Sequence, residues 1–234
     1  MVKGKVYFVG AGPGDPDMLT VKGRRLLEEA ELVIYYGFAV SQKIVDCARG
    51  TRLDSYGLSL EEIMEAMLRT VEAGGNVVRL HSGDPSLFGG MLEQIDALKR
   101  AGVEIEIVPG VSSLFASAAL LETQLTLPGV AQTLIITRPN GDESIKELSK
   151  HRSTMAIFLG VSEIREIMET VEYPKDMPVA VIYHACWDDE QIFYGTVGDI
   201  ADTVESAGIK EGAMILIGEV VQPKTIMRLT RGES

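Results

Sequence analysis

The sequence predicts an α/β fold in which two α/β domains, with mostly parallel and mixed sheets, form a cleft. The chain opens with an apolar run at residues 6–9 that breaks into glycines and prolines before a helical pattern begins. Short apolar strands then alternate with amphipathic helices, which is typical of mostly parallel sheets covered on both faces. The alternation starts again at residue 133 after an irregular stretch, and we place the domains at 1–113 and 114–234.

Capping residues and hydrophobic periodicity define the elements of the first domain. Asp17 is expected to cap a helix that runs to Ala30, and Ser59 with Glu62 forms a capping box for a longer helix. Strands are expected at 32–36, 76–81 and 104–108. Shorter helices are expected from 41 to 47 and around Leu92, Ile95 and Leu98.

The second domain repeats the alternation with different spacing. Helices are expected at 114–121, 144–150, 162–172 and 197–207. Strands are expected at 133–137, 154–159, 179–184 and 213–218. We expect this domain to complete the ligand site that begins in the glycine-rich loop of the first.

Composition excludes several classes of partner. Of the 234 residues, 46% are hydrophobic and 24% are charged, so the chain can bury a substantial core. The formal charge of −12 argues against a nucleic-acid or anionic-membrane partner, because both favour a positive protein surface. No apolar run approaches the roughly 20 residues of a membrane span. The first residues enter a strand rather than a signal sequence, so we expect a cytoplasmic protein.

Metal and disulfide chemistry have little support. Cys47 and Cys186 are too few for a disulfide scaffold or a zinc cluster. The histidines at 81, 151 and 184 lack a paired ligand at metal-binding spacing, so no metal site is expected. Motifs for a catalytic nucleophile are also missing. This favours a reaction that depends on alignment with an already activated donor.

The turn after the first strand does not fit a dinucleotide. Counted from Gly10 and Gly12, the third small position of the G-x-G-x-x-G pattern holds Asp15. Pro13 removes a backbone N–H that would cradle a pyrophosphate. The second strand ends at Gly37 with no acidic residue for a ribose hydroxyl. These features argue against a nicotinamide-dependent oxidoreductase, which we keep as the alternative from a different functional class.

Ligands of α/β sheets bind at the carboxyl ends of strands, and other strand ends here carry suggestive residues. Asp84 follows the third strand, either in a binding loop or as the cap of the next helix. Ser112 and Ser113 stand at a helix start, where serine is usually only a cap. Arg138 directly follows an apolar strand, and a lone arginine there is more often a solvated charge than a ligand contact. Trp187, by composition, belongs to the core more often than to a ligand wall.

Several of these motifs together resemble the tetrapyrrole (corrin/porphyrin) methylase family. They are GAGPGD at 10–15, SGDP at 82–85, VPGVSS at 108–113 and AMILIG at 213–218. The resemblance runs from about residue 5 to residue 221. Three further segments, LHSGD at 80–84, LTLPGVAQT at 125–133 and ACWDDE at 185–190, resemble the branch that methylates precorrin-4 at C11.

The resemblance implies a homodimer that binds S-adenosylmethionine (SAM) in a folded form in the cleft and releases S-adenosylhomocysteine. SAM has no pyrophosphate, so the backbone N–H that Pro13 lacks is not needed for its binding. Carried over by position, the cofactor-binding residues would be Pro13, Ser82, Gly83, Asp84, Leu87, Ser112, Ser113, Leu159, Ala185, Ala213 and Met214.

The resemblance also implies the reaction, methylation of precorrin-4 or cobalt-precorrin-4 to the 5A product in cobalamin biosynthesis. Alternatives are a uroporphyrinogen III or precorrin-2 methylase, diphthine synthase, or a non-catalytic adaptor with this fold. Asp84 is one candidate for the base that takes the substrate proton.

The corrin substrate carries acetate and propionate carboxylates. Arg138 is the first candidate to bind them, because a guanidinium suits bidentate contacts with carboxylates. The next candidates for these carboxylates are Arg79, Arg152 and Lys146. The loop after Arg138 is short, lacks the branch's second arginine and carries Asp142 and Glu143, which would repel a carboxylate and displace the contact.

Overall fold

The computed structural model describes residues 4–222 of the chain. The chain divides after Ser113 into two compact units. Each unit contains one five-stranded sheet, so the predicted α/β class with parallel and mixed sheets is confirmed.

The sheet of the first unit is entirely parallel. Its order is β3-β2-β4-β1-β5. The strands are β1 Lys5–Gly10, β2 Leu32–Tyr35, β3 Thr51–Asp54, β4 Val77–His81 and β5 Glu104–Val108. The helices are α1 Val21–Glu29, α2 Gln42–Val45, α3 Leu60–Glu72 and α4 Leu92–Arg100, with a short 3-10 turn at Pro16–Met18.

Alternating side chains of these strands bury both faces of the first sheet. One face packs Val9 and Val33 against Leu27 of α1. The other packs Phe8 against Met67 of α3 and Leu98 of α4. This two-sided burial explains why the central strands are near-continuous apolar runs.

Helix starts follow local capping chemistry. The predicted capping box of α3 is confirmed, with reciprocal hydrogen bonds between Ser59 and Glu62. The predicted cap at Asp17 is wrong, because α1 begins at Val21 and Thr20 Oγ1 accepts the N–H of Gly23 at 3.0 Å. Asp17 lies within the proline-containing 3-10 turn Pro16–Met18, which precedes α1.

The sheet of the second unit is mixed. Its order is β6-β7-β10-β8-β9, with β6 and β7 parallel and the other pairs antiparallel. The strands are β6 Leu134–Thr137, β7 Thr154–Ile157, β8 Pro178–Tyr183, β9 Gln191–Thr196 and β10 Ala213–Ile217. The helices are α5 Ser113–Leu120, α6 Ile145–Ser149, α7 Ile164–Thr170 and α8 Ile200–Ser206.

Two strands were not among the sequence expectations. β3 and β9 each lie at an edge of their sheet. β3 reads Thr-Arg-Leu-Asp and is mostly exposed, and β9 has no fully buried residue. With one paired neighbour each and little burial, these two edge strands lack the apolar pattern that identifies the predicted strands.

Candidate active site

Three loops meet at the carboxyl edge of the first sheet. They follow β4, β1 and β5, which are neighbouring parallel strands. Gly12 and Gly83 exchange two backbone hydrogen bonds of 2.9 and 3.1 Å, and the N–H of Ala11 donates to the His81 carbonyl at 2.7 Å. The loops after β1 and β4 are therefore tied together by their backbones.

Glycines allow these loops to approach each other. A Cβ built on Gly10 would lie 2.5 Å from Gly110 Cα and 2.7 Å from the Gly83 carbonyl oxygen. A Cβ on Gly110 would overlap that same oxygen. The loop at Gly83 is therefore in close contact with the loops after β1 and β5.

Asp84 joins the loop after β4 to the loop after β5. Its Oδ2 accepts the N–H of Gly110 at 2.9 Å, and its Oδ1 accepts the N–H and the hydroxyl of Ser86 at 2.8 and 2.5 Å. Burial raises the pKa of Asp84, but the hydrogen bonds from Ser86 and Gly110 outweigh it, so the pKa lies below its ordinary value. The alternative interpretation of Asp84 as a helix cap is wrong, because α4 begins only at Leu92.

The other residues predicted for the cofactor in the first unit lie on the same loops. Pro13 and Ser112 are buried, Leu87 is half-buried and Ser82 is exposed. Gly83 has φ +61°, and its Cβ position lies 3.4 Å from Ser112 Cα. Ser113 follows as the first residue of α5. The sheet edge thus collects residues that are up to a hundred positions apart in sequence.

Strand β4, which the sequence predicts at 76–81, carries two buried polar side chains. Arg79 and His81 are each only 8% exposed and are two residues apart, on one face of the strand. Burial, and then the positive charge of Arg79, lower the pKa of His81 to about 4. His81 Nε2 and Arg79 Nε have no hydrogen-bond partner among the described residues. In the sequence, the signal for this shared buried face is the spacing of two residues between Arg79 and His81 in an otherwise apolar strand.

The residues predicted in the second unit share the other sheet's edge. β10 runs antiparallel to β7 and β8, and Ala213 pairs with Tyr183 at the end of β8. The start of β10 therefore lies between the carboxyl ends of its two neighbours. Around this edge lie Arg138 after β6, Leu159 after β7, Ala185 after β8, and Ala213 and Met214 in β10.

The backbone is strained at this edge of the second sheet. Leu159 has φ +56°, and His184 and Cys186 have φ +48° and +66°. Such conformations cost about 1–3 kcal/mol each in residues other than glycine and concentrate at ligand sites. Leu159 is also 67% exposed, although it follows a buried strand. Strain and an exposed apolar side chain make this edge a candidate site on structural grounds.

Trp187 lies in an aromatic stack rather than in a hydrophobic core. The His184 ring stacks on Tyr183 at 3.8 Å between centroids and on Trp187 at 4.5 Å. Its Nδ1 lies 2.9 Å from Asp189 Oδ1, and this contact lowers the pKa of Asp189. Trp187 is half-buried, so its expected place in the core is wrong. The stack orders the loop that carries Ala185.

Arg138 is exposed and is followed by an acidic loop. An open pocket beside this loop is lined by Glu143, Glu163 and Glu166. Three acidic side chains that line one pocket disfavour an anionic ligand there. The displacement of a substrate carboxylate from this loop stays a prediction.

Within residues 4–222, no helix is both long and apolar enough to cross a membrane. In the same part of the chain, no three His, Cys, Asp or Glu side chains gather in a way that could hold a metal ion.

Each unit is an α/β domain whose loops gather at the carboxyl edge of its own sheet, and the turn after β1 lacks the backbone N–H groups of a pyrophosphate cradle. The chain belongs to the tetrapyrrole (corrin/porphyrin) methylases, whose family model matches residues 5–201. The predicted family membership is therefore confirmed. As a member of this family, the chain is a methyltransferase that uses SAM.

Individual relatives and structures agree with this placement. A cobalt-precorrin-4 C(11)-methyltransferase of Methanocaldococcus jannaschii is 50% identical over 94% of this chain and 89% of that protein. The X-ray structure of a cobalt precorrin-4 methyltransferase, CbiF, matches with a TM-score of 0.90 and 43% identity, over 94% of this chain and 96% of that one. A Thermus thermophilus uroporphyrin-III C-methyl transferase, solved with S-adenosylhomocysteine, matches with a TM-score of 0.80 and 32% identity, over 93% and 99% of the two chains.

Proposed function

We propose that this protein transfers a methyl group from SAM to C11 of precorrin-4 or cobalt-precorrin-4 in cobalamin biosynthesis. The observation that carries the proposal is the 50% identity, over 94% of the chain, to a relative with that printed activity. The similarity to the solved CbiF structure supports the proposal, since the match covers 94% of this chain and therefore residues of both units.

The residues proposed for the cofactor fit its chemistry. Leu159, Ala185, Ala213 and Met214 form a neutral, apolar group at the edge of the second sheet, which suits an uncharged adenosyl group. In the first unit, the turn at Pro13 offers fewer N–H donors than a pyrophosphate needs, and SAM has no pyrophosphate. Ser82, Gly83, Asp84, Leu87, Ser112 and Ser113 are proposed to complete the binding set.

When bound, SAM supplies an electrophilic methyl group that a ring carbon of the substrate can attack. The work left to the protein is alignment, which contributes about 7–11 kcal/mol in well-oriented systems. The tied loops at Gly12, Gly83 and Gly110 provide a rigid frame for that alignment. Asp84 is already an acceptor of three hydrogen bonds and has a lowered pKa, which supports a positioning role over that of the base.

We further propose that Arg138 contacts a substrate carboxylate, and that the enzyme acts as a homodimer in the cytoplasm. Arg138 lies at the same sheet edge as Leu159, since β6 and β7 are parallel neighbours. Its guanidinium would then supply a local positive charge on a strongly acidic protein. Sedimentation velocity of the purified protein tests the dimer, and a monomer with full activity would contradict it.

The test of the reaction is transfer from isotopically labelled SAM to cobalt-precorrin-4 and to metal-free precorrin-4 under anaerobic conditions. Mass spectrometry counts the added methyl groups, and NMR locates the label. One new methyl group at C11 is expected. The substrate that is methylated faster shows whether the enzyme acts on the ring with cobalt or without it. No transfer to either, with S-adenosylhomocysteine still bound, would overturn the proposal and make uroporphyrinogen III and precorrin-2 the next substrates.

A matched pair of variants tests the role of Arg138. Arg138→Ala is expected to raise the KM for the tetrapyrrole roughly tenfold, because a charged hydrogen bond is lost. Arg69→Ala, which removes an exposed arginine of α3, is the control and should leave KM unchanged. An equal KM in both variants would show that Arg138 does not contact the substrate.

A further inference from the structure

An exposed aromatic cluster lies at the carboxyl edge of the first sheet, outside the loops proposed for SAM. It consists of Tyr36 and Phe38, after β2, and Tyr56, after β3. The three rings contact one another, with centroids 4.8–6.0 Å apart. Their exposures are 41%, 59% and 60%. Single exposed aromatic residues are ordinary, but contiguous exposed apolar patches mark binding surfaces.

The loops that carry the cluster are fixed to each other. Asp54 Oδ1 accepts the N–H of Gly37 at 3.0 Å and the N–H of Tyr56 at 2.9 Å. A Cβ on Gly37 would overlap Asp54 Oδ2, so the first loop packs directly on this carboxylate. The cluster is therefore formed in advance of any ligand, which reduces the entropy that binding must overcome.

A buried cation lies next to the aromatic cluster. Arg79 Nη1 donates to Ser55 Oγ at 3.1 Å, and Ser55 is the residue between Asp54 and Tyr56. Arg79 Nε is buried without a partner among the described residues. Burial lowers the pKa of Arg79, and the charge of Asp54 offsets this only in part. A buried guanidinium with so few partners is costly unless an anion approaches it.

The aromatic cluster lies near the loops proposed to bind SAM in the first unit. In the sheet order, β2 is the neighbour of β4 and β3 is the next strand. Because neighbouring strands lie about 4.8 Å apart, the loops after β2 and β3 begin about 5–10 Å along the edge from the loop with Ser82 and Asp84. A ligand wider than a single amino-acid side chain can span both sets of loops.

We propose that Tyr36, Phe38 and Tyr56 form the surface that contacts the face of the tetrapyrrole macrocycle, with Arg79 receiving one of its carboxylates. This subsite rests on the proposed function and names residues for its substrate. A flat, largely apolar macrocycle with acidic side chains matches three aromatic rings beside an undercompensated cation. A second copy of this chain matches less well, because each copy has a formal charge of −12.

The test compares Phe38→Ser and Tyr56→Ser with Tyr194→Ser, which removes another exposed tyrosine, in β9. We expect the first two variants to raise the KM for precorrin-4 about tenfold or more, since ring contacts of this kind are lost. The dissociation constant of S-adenosylhomocysteine, measured by calorimetry, should not change. The control should keep the wild-type KM.

Arg79→Gln adds a separate test of the carboxylate contact, with thermal unfolding to check that the variant folds. A folded variant should show a raised KM for precorrin-4; if it fails to fold, the two aromatic variants still decide the inference. Unchanged KM in those variants, with active wild-type enzyme, overturns the subsite alone. Wild-type protein that methylates no form of precorrin-4 overturns the proposed function instead. A dimer that dissociates in the aromatic variants without a change in KM would assign the cluster to self-association and overturn the inference.

Discussion

Asp84 Oδ2 accepts the backbone N–H of Gly110 at 2.9 Å, a contact between loops that lie 26 residues apart in sequence. The other oxygen of the same carboxylate is occupied by Ser86. One side chain therefore fixes the loop after β4 and couples it to the loop after β5.

Asp84→Asn should loosen these loops without changing the size of the side chain. If its amide NH₂ faces the N–H of Gly110, two donors oppose each other, and we expect a loss of about 1–3 kcal/mol in the free energy of unfolding. Affinity for S-adenosylhomocysteine should fall with it. Urea unfolding and calorimetry measure the two effects, and Ser82→Ala serves as the control for stability, because Ser82 is exposed. Full stability in the Asn variant would contradict the structural role of the carboxylate.

Gly110→Ala tests the close approach of the three loops. The added methyl group would overlap the Gly83 carbonyl oxygen and crowd Gly10, so one of the loops must move. We expect a destabilisation of about 1–3 kcal/mol, as for other overpacked sites. Gly141→Ala is the matched control, because a Cβ there would find its nearest neighbour at 3.4 Å. Equal melting temperatures for the two variants would mean that the loops have room to separate.

Local sequence signals identified elements better than contacts between them. The capping box of α3 and the strand β5 lie as predicted, because the first depends on neighbouring residues and the second on an alternation of charged and apolar residues. The predicted helix start at Asp17 is wrong because Asp17 belongs to a 3-10 turn that has its own cap, in which Asp15 Oδ1 accepts the N–H of Asp17. Edge strands β3 and β9 carried no buried pattern to detect.

The candidate sites show the same limit. That Asp84 and Gly110 follow strands can be read from the sequence, but their hydrogen bond depends on the strand order β4-β1-β5. The stack of His184 with Trp187 depends on left-handed backbone at His184 and Cys186, neither of which is a glycine. Residue type predicts against that conformation and composition favours a core position for a tryptophan, so the sequence alone does not indicate the stack.

Leu159→Gly should separate stability from ligand binding. Glycine adopts φ +56° without the steric cost that leucine bears, so stability should stay within about 1 kcal/mol of the wild type despite the lost side chain. If the exposed leucine contacts the cofactor, affinity for S-adenosylhomocysteine should fall roughly tenfold. Glu122→Gly, at φ +51°, gives the same backbone relief at a position outside the candidate site. An equal affinity in both variants would exclude Leu159 from the cofactor site.

His81 should make the folded protein sensitive to mild acid. Its pKa is lowered to about 4 by burial and by Arg79, whereas an unfolded histidine titrates near 6.5. The unfolded state therefore binds the proton first, so the free energy of unfolding is highest above pH 6.5 and falls as pH decreases from 6.5 to 4. The loss is on the order of 3 kcal/mol for the full shift. Urea unfolding of His81→Gln should show a flatter pH dependence over this range, while the exposed control His151→Gln should follow the wild type. Parallel curves for His81→Gln and wild type would show that His81 is not the residue that titrates.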